Sequence, residues 1–175
     1  MARIFIIFFL LISTGRSIQA QPEMDKNLFP VSRFPVFSVN FVHPTADKPQ
    51  SKLWYTEGSW WALLPDSTGP TLWQRLETGW KEYPEVNLKL RGIPGRADVW
   101  SEINRVTAVG VADSFLTVFR LNKKIIRSGF RWNPEVLGRL FPQTPGMIET
   151  ATIARDSNGK WWVAATANRK VQVWV

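Results

Sequence analysis

From residue 51 onward the chain is a succession of short apolar-rich runs, each closed by turn-forming residues. Within 51–86 these runs predict four strands in series. Residues 51–56 are the first, Glu57-Gly58 a tight turn, and 59–64 the second. A loop over 65–70 leads to a third strand at 71–76, a turn at 77–79 and a fourth strand at 80–83. The second strand, Trp60-Trp61-Ala62-Leu63-Leu64, is apolar on both faces, as a strand covered above and below should be. The fourth carries Lys81 and Glu82 and is expected to face water.

The same order returns. Strands are expected at 96–103, 106–112, 115–121 and 123–131, with Asn104-Arg105 and Asp113-Ser114 at the turns. A third copy starts with strands at 149–155, 160–166 and 171–175. Two landmarks shift together between copies: Trp60, Val106 and Trp161 lie 46 and 55 residues apart, and Leu76, Leu121 and Val175 lie 45 and 54 apart. The Trp residues at this register of the second strand are expected to supply bulk between sheets rather than a sugar-stacking platform. A four-stranded unit repeated about every 50 residues points to an all-β fold of β-propeller type. Two full blades (51–86, 96–131) and most of a third (149–175) predict an incomplete propeller with an open edge strand, where a protein partner could pair. One two-sheet β-sandwich is the alternative, since short strands in series also build that fold.

Ahead of the repeats, Phe37, Val39 and Phe41 alternate with Ser38 and Asn40, predicting a strand over 34–42 that could seal a ring; it lies in a tether over 21–50. Residues 1–20 have signal-peptide form: Arg3, an apolar run over 4–12, then a polar segment ending in small residues. That run is too short for a membrane-spanning helix, and no later stretch is long enough. The expected location is therefore secreted or periplasmic.

Composition narrows the chemistry. A hydrophobic content of 45% with ten Trp and eleven Phe supports a packed core and argues against disorder. With no Cys and a single His, His43, there is no disulfide, no thiolate and no metal cluster of the usual Cys or His kind; no cofactor or metal is expected. The formal charge of +8 favours anionic ligands, but Lys89, Arg91, Arg96, Lys123 and Lys124 are scattered rather than aligned, so no nucleic-acid partner is expected.

The segment Ala154-Arg155-Asp156-Ser157-Asn158-Gly159-Lys160-Trp161-Trp162 resembles the Asp-box turn of sialidase-like propellers. It matches that pattern at Asp156 and Trp161, with Asn158 and Gly159 displaced by one and Ala154 in place of Ser. The local chemistry of Asp and Gly already makes this a turn, so Asp156 is read as structural. Arg91-Gly92-Ile93-Pro94 is similar to the family's Arg-Ile-Pro element, with a Gly inserted after the Arg. The resemblance implies a glycan or small anionic ligand, bound where the loops feeding the first strands converge. In this chain those loops are 91–98 and 142–149, which makes Arg91, Arg96, Asp98 and Glu149 the ligand-binding candidates. A hydrolase of this kind would also need a Tyr nucleophile, yet neither Tyr55 nor Tyr83 lies in such a motif, so no catalytic residue is assigned. Two functions stay open: a glycan-directed domain that binds or hydrolyses, and a non-catalytic scaffold for protein interaction.

Overall fold

The computed structural model describes residues 38–41, 51–143 and 145–175. The leader and nearly all of the tether lie outside them. Among the described residues the fold is all-β with one short helix, and eleven strands form three antiparallel sheets. The first contains β1 (Leu53–Thr56), β2 (Ser59–Asp66), β3 (Gly69–Leu76) and β4 (Gly79–Glu82). Helix α1 (Pro84–Leu90) follows. The second sheet contains β5 (Ala97–Glu102), β6 (Arg105–Val111), β7 (Leu116–Ile126) and β8 (Gly129–Leu140), and the third β9 (Ile148–Arg155), β10 (Trp161–Ala167) and β11 (Lys170–Trp174). Each sheet is a simple meander in chain order. Three sheets rather than two set aside the two-sheet sandwich.

Local sequence accounts for the turns. Glu57-Gly58 and Asn168-Arg169 each have two consecutive residues of positive φ, the geometry that lets a two-residue loop follow the twist of its strands. The loop expected over 65–70 is shorter than predicted. Asp66 Oδ1 accepts from the amide and hydroxyl of Thr68 (3.0 and 3.1 Å), which closes the turn at Ser67-Thr68 and lets Pro65 face Pro70 in register.

The second hairpin departs most from expectation. No turn forms near Asn122; β7 runs on to Ile126, and Arg127-Ser128 joins it to β8. The pair outreaches β6, whose register with β7 stops at Arg105↔Asn122. Farther along, Val118 pairs with Gly138 and Phe119 with Val136, leaving Leu137 as a bulge. The overhanging half of the hairpin reaches the first sheet, where Trp132 meets Trp54 and Trp61 edge-on at 6.0 and 5.7 Å.

Helix α1 was not anticipated. Pro84 occupies its first turn, where a missing N–H costs nothing, and Val86 and Leu90 bury one face. Asn87 Oδ1 accepts from the Leu72 amide at 2.7 Å, pinning the helix to β3. Gly69 is the point of closest approach: a Cβ there would lie 2.6 Å from the Leu90 carbonyl oxygen.

Two apolar layers hold the sheets together. Between the first and second lie Trp54, Trp61, Leu63 and Leu72 against Val99, Val106, Ala108, Phe119 and Leu121, with α1 closing one side. Between the second and third lie Val109, Val111 and Leu116 against Ile148, Ala151, Ile153, Val163 and Ala165. The second sheet is thus buried on both faces, and each large side chain it hides stabilises by about 1.5–3 kcal/mol.

The outer sheets correct the reading of the tryptophans. Trp60, Val106 and Trp161 do share one side of their sheets, but on the first sheet that side faces outward, and Trp60 is 51% exposed while Trp61 is 2% exposed. Trp162, on the opposite side of the third sheet, is 42% exposed. The landmark on the third strand also slips. Trp61 pairs with Gln74 and its counterpart Thr107 with Arg120, so Leu121 corresponds to Arg75 rather than Leu76.

Within the predicted strand 34–42, the described residues 38–41 form no strand. Val39 packs instead on Ala62, Leu64 and Trp73 at the outer face of the first sheet, and Asn40 accepts from the Ser67 amide at 3.0 Å. Among the described residues no helix is long and apolar enough to cross a membrane.

Candidate functional site

The four candidates fall in three different settings. Asp98 is buried at 4% exposure in β5. Its Oδ1 accepts from the Ser51 amide at 2.6 Å, and its Oδ2 accepts from the Thr152 hydroxyl and the Ile153 amide at 2.8 and 2.9 Å. Ser51 leads into β1 and Thr152 belongs to β9, so one carboxylate ties together the first strands of all three sheets. Val99 adds a backbone bond to the Ser51 carbonyl at 3.0 Å. Nearby, burial pushes the Lys52 ammonium below its ordinary range, and the charge of Asp98 pulls it partly back.

Arg96 lies just ahead of β5. Its carbonyl accepts from Val111 at 2.8 Å, and its guanidinium, itself partly buried, stands 3.8 Å from the exposed Asp113 carboxylate, a loose pair. The Ile148 amide donates to the Asp113 carbonyl at 2.8 Å, so β9 starts beside that pair with the exposed Glu149 next in line.

Arg91 is elsewhere. It ends α1 and, together with Asp66, Thr68, Glu82 and Asn87, lines a surface hollow of about 250 Å³ that none of the other three candidates borders. The Gly inserted after it has a local cause. Gly92 has φ +80°, the left-handed conformation that stops a helix, and its amide donates to the Thr68 carbonyl at 2.9 Å. Arg91-Gly92-Ile93-Pro94 is therefore a helix stop that turns Ile93 into the core.

An arginine pair that the sequence reading passed over sits at the far ends of β5 and β9. Glu102 accepts from Arg105 Nε at 2.5 Å and from Arg155 Nη1, linking the second sheet to the third. The Arg105 hydrogen bond, then the one from Arg155, outweigh partial burial and hold the Glu102 carboxyl below its usual range. Glu102 and Arg105 flank the β5–β6 turn, and that spacing was the available signal. At Asp156 the turn is as expected. Oδ1 accepts from the amides of Asn158 and Lys160, both at 2.9 Å, but the aromatic residue it meets is Trp162, not Trp161.

Chemically this is a set of carboxylates already supplied with donors. Asp66, Glu102 and Asp156 are all held below the ordinary carboxylate range, the state of an acceptor rather than of a general acid. Burial, then Glu85, raises the Tyr83 phenol, whose hydroxyl bonds Gln74; that is opposite to the activation a nucleophile needs. Among the described residues no group of three His, Cys, Asp or Glu stands close enough to hold a metal.

Compared with known proteins, the chain matches no family, no curated protein and no solved structure.

Proposed function

We propose that the chain is an exported, propeller-type interaction scaffold whose sheets present surface instead of converting a substrate. The observation that carries this reading is Asp98. The best-buried carboxylate among the candidates is fully engaged in joining three first strands, and a ligand reaching it would have to break the joint between sheets. The apolar outer faces, by contrast, are open at Trp60 and Trp162. Large exposed apolar surface on a stable protein is a mark of association.

The test is a panel of arylglycosides and a glycan array offered to the purified chain, beside affinity capture of protein partners. The scaffold reading expects no turnover and a captured protein, a second copy of the chain included, that is lost with Trp60→Ala or Trp162→Ala. Turnover abolished by Asp98→Asn in a protein that keeps its circular dichroism would overturn it.

A second reading, a glycan- or anion-binding module, draws support from the hollow beside Arg91, which combines one guanidinium with the polar groups of Asp66, Thr68 and Asn87. Glycan-array binding that disappears in Arg91→Ala would favour it. Binding unchanged in that variant would remove it.

A further inference from the structure

The three sheets follow one packing rule. The second strand of each sheet contacts the first strand of the next: β2 meets β5, and β6 meets β9, where β5 meets β9 as well. Trp61 and Leu63 are the β2 side chains in the first layer, and Val109 and Val111 those of β6 in the second. Continued one step, the rule makes β10 the donor of the next contact, through the side of the sheet that carries Trp162, Ala164 and Thr166. That side has no charged residue on β10, and beside it Val171 and Val173 of β11 are 73% and 54% exposed.

The receiving end of the rule is a first strand seen from its outer side, and β1 has that side open. Leu53 and Tyr55 are 54% and 59% exposed, and Tyr55 stands edge-on to Trp60 at 5.5 Å. Among the described residues, Val39 packs on Ala62, Leu64 and Trp73 of β2 and β3.

We infer that a second copy of this chain docks here, head to tail, with β10 of each copy packed on β1 of the other. The contact continues the interface already present twice within the chain, which is why a like copy is the partner of matching shape. Each copy offers one face of each kind, so a reciprocal pair covers both faces of both copies, whereas an open run of copies would leave one of each kind exposed at its ends. A head-to-tail contact that closes on itself gives a cyclic dimer with two identical interfaces. This inference rests on the propeller-type reading above.

Native mass spectrometry and light scattering on the purified full chain test it. The expected species is a dimer of the 20.1 kDa chain. Trp60→Lys and Trp162→Lys should each give monomer, and mixing the two variants should recover a dimer, because one of the two interfaces then pairs two unaltered faces. Leu53→Lys and Val173→Lys repeat the experiment should either Trp variant lose its circular dichroism. A monomeric wild type overturns the inference. So does a dimer broken by Trp162→Lys but indifferent to Trp60→Lys, which would mean third sheet on third sheet, and so does an assembly of three or more copies. The scaffold reading fails on different data: a monomer that still captures its partner leaves that reading standing, and a dimer that turns over glycosides ends it without touching the docking geometry.

Discussion

The indole N–H of Trp162 donates to Oδ2 of Asp156 at 2.9 Å, while Oδ1 of the same carboxylate gathers the amides of Asn158 and Lys160. The β9–β10 turn therefore does two things at once. It closes the hairpin, and it fixes the orientation of an aromatic ring that lies on the open face of the third sheet.

The bond from Trp162, then those from the Lys160, Asn158 and Gly159 amides, hold the Asp156 carboxyl below its usual range. Asp156→Ala should shift the indole N–H resonance of Trp162, assigned by its loss in Trp162→Phe, toward the position of a water-exposed indole. In the wild type the same resonance should move only as pH falls below the ordinary Asp range of about 3.9. A resonance that ignores both the substitution and acid would show that the bond does not persist in solution.

At Asp98 the expected effect is on stability. Asp98→Ala strands two backbone amides and a hydroxyl in a buried joint and, at about 1–3 kcal/mol for each unsatisfied group, should cost at least about 3 kcal/mol. Asp98→Asn retains one carbonyl oxygen, so about 1–3 kcal/mol is expected. Urea denaturation measures both. Equal and small losses would mean that the joint is not carried by this carboxylate.

Trp132 allows bulk to be separated from polarity. Its indole nitrogen, like those of Trp54 and Trp61, is buried with no hydrogen-bond partner among the described residues. Trp132→Ala should cost about 3–5 kcal/mol through the cavity it leaves. Trp132→Phe also removes an unmatched donor whose burial costs about 1–3 kcal/mol, and it should come out markedly less destabilising. If the two variants prove equally unstable, the donor carries no penalty.

For Glu102 the sign with pH is definite. Its folded carboxyl is held below the unfolded value of 4.5 by Arg105 and then Arg155. The stabilisation is complete above that value and is lost as pH falls through the lower, folded one. The difference in unfolding midpoint between wild type and Glu102→Gln should therefore shrink from about pH 6 to about pH 3. A constant difference across that range would place the stabilisation elsewhere.

Much of the strand order was legible because the turns announce themselves. Glu57-Gly58 turns through positive φ and the Asp156–Gly159 segment through a side-chain cap, and apolar runs lie between such turns. What the sequence hid depends on partners. Asn122 looked like a turn, yet β7 continues past it because Trp132 and Phe130 on its return strand find Trp61, far back in the chain. The Val86–Leu90 spacing behind Pro84 did encode α1, but it spans too few residues to stand out from a loop. Trp60 and Trp61 are chemically identical neighbours, and only the number of sheets on each side decides which one meets water. Asp98 was singled out for its charge and position; its role as a joint lay in Ser51, Thr152 and Ile153, all three of which come from other copies of the repeat.

The overhang of β7 and β8 has a dynamic consequence. Through it the first two sheets share an aromatic cluster, and Lys123 of β7 reaches Glu57 at 2.5 Å. Among the described residues the third sheet has no such overhang; it is fastened by an apolar layer, by Asp98 and Arg155, and by the Ile148 amide on the Asp113 carbonyl. Protection against amide exchange should accordingly come in two tiers, with β9–β11 opening as a unit well before β2, β3, β6 and β7, which should resist until the molecule unfolds globally.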